Sequence, residues 1–320
     1  MALSGDEIVD KTAKEKLVVI LGPTATGKSH CAIEVAKRMD GEIISGDSML
    51  VYRQMNIGTA KPTAAELASV PHHLVDILPP DAEFNVTAFK EQAERLITDI
   101  NNRGNLPVIA GGTGLYIKAL LENYAFNNVG IENETRSQLE SYAAEHGKEA
   151  LHEMLQKLDA EAAQRLHVND TRRVIRAIEA AQQGEQVNQY GAAEMPYDAL
   201  VFGINMERAF LYERINQRVD KMLADGLEQE VRSLLAAGVP EDSQSMKSIG
   251  YRQMLWYINK EMTYDEAVDK LKQATRNFAK RQVTWYKRMP YIQWFDVDER
   301  LDYDAVINEM CRLIKNKWII

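Results

Sequence analysis

Residues 22–29 read Gly22-Pro23-Thr24-Ala25-Thr26-Gly27-Lys28-Ser29, which fits the spacing G-x-x-x-x-G-K-[ST] in full. In such a turn backbone N–H groups point at phosphate oxygens, and the helix that follows adds positive potential at its N-terminus. Lys28 brings a fixed charge, and the Ser29 hydroxyl can bind Mg²⁺. The pattern selects a diphosphate or triphosphate ligand, but no reaction. A chain that hydrolyses nucleotides ordinarily ends a neighbouring apolar strand in a carboxylate. Here the apolar run 107–110 ends in Gly111-Gly112-Thr113-Gly114, with no acid. Asp76, inside the run 73–78, is a substitute that reads equally well as structural. The missing acid argues against hydrolysis or phosphoryl transfer and leaves room for a loop that grips a departing phosphate.

Asp47 follows the apolar run 42–45 directly, where parallel sheets place ligand-binding residues. It is either a catalytic carboxylate or, with Ser48, the cap of a helix over 49–55, and its position alone does not choose. Thr113 has the same duality, as a hydroxyl facing substrate or as the cap of a helix over 115–121.

The elements that must hold these residues are legible from periodicity. Residues 17–21 (LVVIL) form a β-branched apolar run with a glycine after it, as expected of a buried parallel strand. Runs 42–45, 73–78 and 107–110 read as further strands, with helices over 29–39 and 87–101 between them. The alternation predicts an α/β fold, a P-loop NTPase-like parallel sheet with helices on both faces. From about residue 132 to 184 no strand is convincing and several helices fit, one over 170–183 with Asn169 or Asp170 as cap and Gly184 as stop. The strand pattern resumes at 199–204, and a helix-rich C-terminal part follows. The expected organisation is a catalytic core of residues 1–125 and 196–320, interrupted by a helical insertion domain over 126–195.

At 320 residues, 45% hydrophobic and 27% charged, the composition excludes a disordered chain. A net charge of −9 argues against a protein that coats nucleic acid indiscriminately, although a local basic surface can still exist. Two cysteines exclude a disulfide framework or a Cys-rich zinc site, and the six histidines show no metal-ligand spacing. There is no apolar run of membrane-spanning or signal-peptide length, so a cytoplasmic protein that binds no membrane is expected.

Taken together, GPTATGKS (22–29), DSMLVYRQMNIGTAKP (47–62), HHLVDI (72–77) and GGTGLYIKALL (111–121) resemble the bacterial tRNA dimethylallyltransferases. The likeness continues in order through NDTRRVIRAIE (169–179), RINQRVDKMLADGLEQEV (214–231), SIGYRQ (248–253) and TRNFAKRQVTWYKR (275–288). The resemblance implies transfer of a dimethylallyl group from dimethylallyl diphosphate to N6 of the adenosine on the 3′ side of the anticodon. Residues 22–29 would then hold the leaving diphosphate with Mg²⁺, and the target base would leave the anticodon-loop stack to reach it. Asp47 takes the role of general base, Thr113 a place beside the reacting groups, and Arg218 the diphosphate. Arg214 is the alternative to Arg218, and surface charge on an amphipathic helix the bland reading of both. The resemblance further implies tRNA contacts by Asp47, Ser48, Met49, Leu50, Thr113, Arg136, Arg172, Arg173, Val174, Ile175, Arg176, Gly250, Tyr251, Arg252 and Gln253. Many members carry Gln where this chain has Leu50, which weakens adenine reading by a hydrogen bond from that side chain.

Residues 270–292 hold seven basic residues and no acid. Lys272, Arg276 and Lys280 share one helix face, with Arg281 beside them, so a phosphate-binding face for the anticodon stem-loop is expected there. A solvated helix face is the alternative. The protein is expected to act as a monomer. Three other functions remain open: an isopentenyltransferase acting on free AMP, ADP or ATP, a P-loop kinase or NTPase, and a non-catalytic RNA-binding protein.

Overall fold

The computed structural model describes residues 14–124, 133–183 and 194–319. Strand β1 (Lys16–Leu21) leads into helix α1 (Lys28–Arg38), and β2 (Gly41–Ser45) is followed by α2 (Ala64–Ser69) and β3 (His72–His73). Next come α3 (Val86–Asn102), β4 (Leu106–Gly111) and α4 (Gly114–Leu121), then α5 (Asn133–Leu158), α6 (Ala160–Arg165) and α7 (Thr171–Gln182). The chain continues through β5 (Asp198–Met206), α8 (Arg208–Ala224), α9 (Leu227–Ala236), α10 (Tyr251–Ile258) and α11 (Tyr264–Tyr286). It ends with β6 (Gln293–Val297) and α12 (Tyr303–Trp318).

The six strands form one parallel sheet in the order β3-β2-β4-β1-β5-β6. Its strands read as continuous apolar runs because both faces are covered. Leu17, Val19 and Leu21 join one core with Ile44, Ile109 and Val201, whereas Val18 and Ile20 join another with Ile43, Val108 and Phe202. The period of two therefore divides each strand between two helical layers. Parallel strands end on a common edge, so the loops after β1, β2 and β4 gather there and carry residues 22–27, 46–63 and 112–113.

The chain divides into two compact units, Met1–Asn123 with Ala193–Ile320, and Tyr124–Ala192. In the second, α5, α6 and α7 close over Leu139, Leu151, Leu155, Val174 and Ile178. Its longest helix, α5, is interrupted at Gly147, where φ is +89°. The predicted boundary at 125–126 and the predicted helix stop Gly184 lie outside the described residues.

Three expectations about elements are corrected. The run 73–78 is not a strand beyond His73: Leu74 and Asp76 take positive φ, and Asp76, Ile77 and Leu78 hydrogen-bond instead to the carbonyls of Leu50 and Val51. Asp76 is ion-paired with the buried Lys61, which also donates to the Tyr52 carbonyl at 2.7 Å, so it is a structural carboxylate. Residues 49–55 form turns and a single bridge rather than a helix. A sixth strand, β6, was hidden in a stretch read as helical. It is short and lies on the sheet edge, where exposed Gln293, Trp294 and Asp296 blur the alternation.

Glu42 on β2 is buried yet charged. Burial alone would raise its carboxyl, but hydrogen bonds from Arg103, Asn105 and His73 outweigh it and hold the group at about 2. The folded value lies below the unfolded one of 4.5, so this stabilisation is complete above that pH and is lost as pH falls toward 2. Glu42→Gln is expected to lower stability at neutral pH by about 2 kcal/mol, discounted for the half-exposed Arg103. Urea melts should show the deficit shrinking to less than half at about pH 3.

Candidate active site

The 22–29 loop takes its shape from two left-handed residues, Ala25 (φ +67°) and Gly27 (φ +85°). A side chain at Gly27 would also run into the ring of Tyr303 on α12, so glycine is required there twice over. Thr26 Oγ1 donates to the Pro23 carbonyl at 2.8 Å, and the Tyr303 hydroxyl donates to the Thr26 carbonyl at 3.1 Å. Arg214 Nε donates to the Ala25 carbonyl at 2.9 Å. With its carbonyls fixed from behind, the loop opens toward the cavity beyond, where Lys28 and Ser29 stand at the start of α1.

The loops after β2 and β4 are bonded to each other. Gly46 N donates to the Ala110 carbonyl at 2.8 Å, and Thr113 N to the Gly46 carbonyl at 3.2 Å. Asp47 accepts from its own loop, with Met49 N donating to Oδ1 at 2.8 Å. Thr113 is the residue before α4, but its hydroxyl caps nothing in that helix; it accepts from Ser48 N at 3.1 Å. The turn after Asp47 and the Thr113 side chain thus form one wall.

That wall, the loop at 22–29 and helices α8 and α11 enclose a cavity of about 360 Å³. Among the described residues lining it are four cations, Lys28, Arg218, Lys247 and Arg281, and one carboxylate, Asp47. Burial, and next the like charge of Arg218, push Lys28 down to about 8 against the opposing pull of Asp47. Burial also lowers Arg218, offset by Asp47 and reinforced by Arg214. Cations depressed by burial and by neighbouring like charge are suited to receiving an anion. The two candidate arginines separate here: Arg218 lines the cavity, whereas Arg214 is bonded to the loop's backbone.

The expected RNA contacts fall into three groups. Ser48, Met49, Leu50 and Gly250 line the cavity, as does Arg281, while Arg252 and Lys280 are exposed on the same unit. Arg172 and Arg173 are exposed on the second unit, Arg173 paired with Asp170 at 3.2 Å. The others are engaged elsewhere. Lys272 pairs with Asp220 at 2.6 Å and Arg276 donates to Asn216 at 2.6 Å, so two of the three cations on the predicted basic face bind α8. Arg136 and Arg176 both reach the buried Glu179. The side chains of Val174, Ile175, Tyr251 and Gln253 are buried and pack the two units from inside.

Periodicity also missed residues that shape the site from one shell out. Glu230 on α9 accepts from the backbone N–H groups of Asn56, Ile57 and Gly58 at 2.8, 2.9 and 3.1 Å and from the Tyr251 hydroxyl at 2.6 Å. Gly58 packs so closely on the Tyr251 ring that a Cβ would not fit. One carboxylate therefore joins the cavity-lining segment 58–60 to the start of α10. In the sequence it looks like one more acid on an amphipathic helix. Glu230→Gln turns an acceptor into a donor facing N–H groups, so a loss of about 2 kcal/mol of stability is expected, checked by thermal melts.

Fold and site together define a P-loop α/β protein whose 22–29 loop borders a cavity lined by several cations and by Asp47. The IPP transferase family model matches residues 50–289. A tRNA dimethylallyltransferase of Carboxydothermus hydrogenoformans is 49% identical over 287 residues, 88% of this chain and 92% of that protein. One of Pelotomaculum thermopropionicum is 46% identical over 303 residues, 93% and 96% of the two chains. The crystal structure of a tRNA isopentenylpyrophosphate transferase from Bacillus halodurans is similar with a TM-score of 0.73 at 44% identity, over 95% of this chain and 97% of that one. The chain belongs to the IPP transferase family.

Proposed function

We propose that the protein transfers a dimethylallyl group from dimethylallyl diphosphate to the exocyclic N6 of an adenosine in tRNA, next to the anticodon on its 3′ side. The observation that carries this reading is a single cavity lined by Lys28, Ser29 and Arg218 together with Asp47 and Thr113. Matches over 88% and 93% of this chain to relatives named tRNA dimethylallyltransferase support it.

The placement supports the following course for the reaction. The N6 lone pair attacks C1 of the dimethylallyl group as the bond from C1 to the diphosphate oxygen breaks. That oxygen keeps the electron pair, and the N6 proton passes to Asp47. Lys28, Arg218 and the N–H groups of the 22–29 loop stabilise the charge that builds on the leaving diphosphate. Thr113 and the turn at Ser48 orient the base. The described residues hold no cluster of three or more His, Cys, Asp or Glu fit for a metal. Ser29, which lines the cavity at the start of α1, is the residue that would hold a Mg²⁺ ion brought with the diphosphate. When bound it neutralises leaving-group charge.

No helix among the described residues is long and apolar enough to cross a membrane. We assign phosphate contacts in tRNA to Arg252, Lys280 and Arg281 of the first unit and to Arg172 and Arg173 of the second. The site lies with tRNA in the cytoplasm. Incubation with Mg²⁺, dimethylallyl diphosphate and unmodified tRNA, followed by nucleoside mass analysis, should yield prenylated adenosine. AMP offered in place of tRNA should yield none, and product from AMP alone would move the protein to the free-nucleotide class.

A further inference from the structure

Gln282, on α11, is 4% exposed and bonded to two loops at once. Its Oε1 accepts from Thr24 N at 2.9 Å, and its Nε2 donates to the Gly112 carbonyl at 2.8 Å. Thr24 offers a donor and Gly112 an acceptor, so only one orientation of the amide serves both. One turn further on, the Tyr286 hydroxyl donates to the same Gly112 carbonyl at 2.9 Å. Pro23 has no N–H, so the first amide after Gly22 in the anion loop is committed to a distant helix rather than to phosphate. In the reaction proposed above, the loops joined by this amide hold different reagents. Residues 22–29 hold the diphosphate, and Gly112 precedes Thr113, which faces the adenosine.

We propose that Gln282 is a positioning residue that sets the distance between these two loops and hence the alignment of C1 with N6; this rests on the functional reading above. The side chain must present a donor and an acceptor about two bonds apart in one plane, which a primary amide does and a carboxylate does not. A glutamate would turn a second acceptor toward the Gly112 carbonyl. Gln282 lines the cavity, but its amide is taken up by backbone on either side, so its loss leaves the contacts proposed for Lys28, Arg218 and Thr113 in place. What changes is their relative placement, and a misplacement of roughly 1 Å costs about 10²-fold in rate.

The test uses the full chain with Mg²⁺, dimethylallyl diphosphate and unmodified tRNA, comparing wild type, Gln282→Met and Tyr286→Phe. Rates are normalised to the concentration of folded sites, counted by pyrophosphate titration. Gln282→Met is expected to lower kcat about 10²-fold, while both KM values and the pyrophosphate dissociation constant stay within about threefold of wild type. Tyr286→Phe leaves Gly112 bonded to Gln282 and should stay within about threefold in every parameter. An unchanged kcat in Gln282→Met, or a fall matched by equal loss of pyrophosphate affinity, would overturn the inference. Should Gln282→Met not fold, Gln282→Asn keeps an amide too short to reach both partners and carries the same expectation. A wild-type protein that prenylates no tRNA defeats the functional reading itself, whereas an active wild type equalled by its variant defeats this inference alone.

Discussion

Asp47→Asn is expected to slow prenyl transfer by about 10²–10⁴-fold while leaving tRNA affinity nearly unchanged. The substitution is isosteric and keeps an oxygen to accept from Met49 N, so the turn beside Thr113 holds its shape. Two things are lost: the proposed acceptor for the N6 proton, and the one carboxylate among the described residues lining the cavity with Lys28 and Arg218. The second loss gives the prediction its signature. With no carboxylate left among the cavity's cations, inorganic pyrophosphate should bind at least as tightly to the variant as to wild type. Single-turnover prenylation together with pyrophosphate calorimetry separates the effects. A variant that retains its rate within about tenfold would mean that another group takes the proton.

What the sequence revealed and what it concealed have different physical causes. The loop at 22–29 and the strands β1, β2 and β4 were legible because their signals are local, a fixed spacing in one case and an apolar run closed by glycine in the others. Asp47 and Thr113 were legible as candidates because strand ends in parallel sheets are where ligands meet the chain. Their bond through Ser48 N, which sets aside the cap reading for Thr113, joins residues 65 apart and leaves no trace in periodicity. Gln282, Tyr303 and Glu230 failed to stand out for the same reason. Each is an ordinary residue on an amphipathic helix until the fold brings it against a distant backbone. Charge counting erred in the opposite direction. Seven cations without an acid suggested a single RNA-facing stripe, but the compensating Asp220 sits on α8, about 50 residues away in sequence, and claims Lys272. The length of a charge run says little about where its partners lie.

The choice between Arg214 and Arg218, which spacing alone left open, leads to the second large effect. Burial makes the cavity unfavourable for charge, and like charge adds to it: Arg218 pushes Lys28 down, and Arg214 pushes Arg218 down. That arrangement is a cost to the empty protein and becomes an asset when an anion enters, the usual relation between stability and function at a binding site. Lys28→Met should therefore leave the empty protein at least as stable as wild type while weakening pyrophosphate binding about 10²–10³-fold. Arg218→Gln should behave alike. Arg214→Gln should not, because Arg214 holds the Ala25 carbonyl and its loss loosens the loop itself. Thermal melts with and without pyrophosphate and Mg²⁺ read all three variants in one experiment, since a ligand raises the melting point only of a protein that binds it. Lys28→Met and Arg218→Gln should show an unchanged or higher melting point and no response to pyrophosphate. Arg214→Gln should show a lower melting point and a diminished response. The opposite result, with Arg214→Gln stable and unresponsive and Arg218→Gln still responsive, would hand the diphosphate to Arg214.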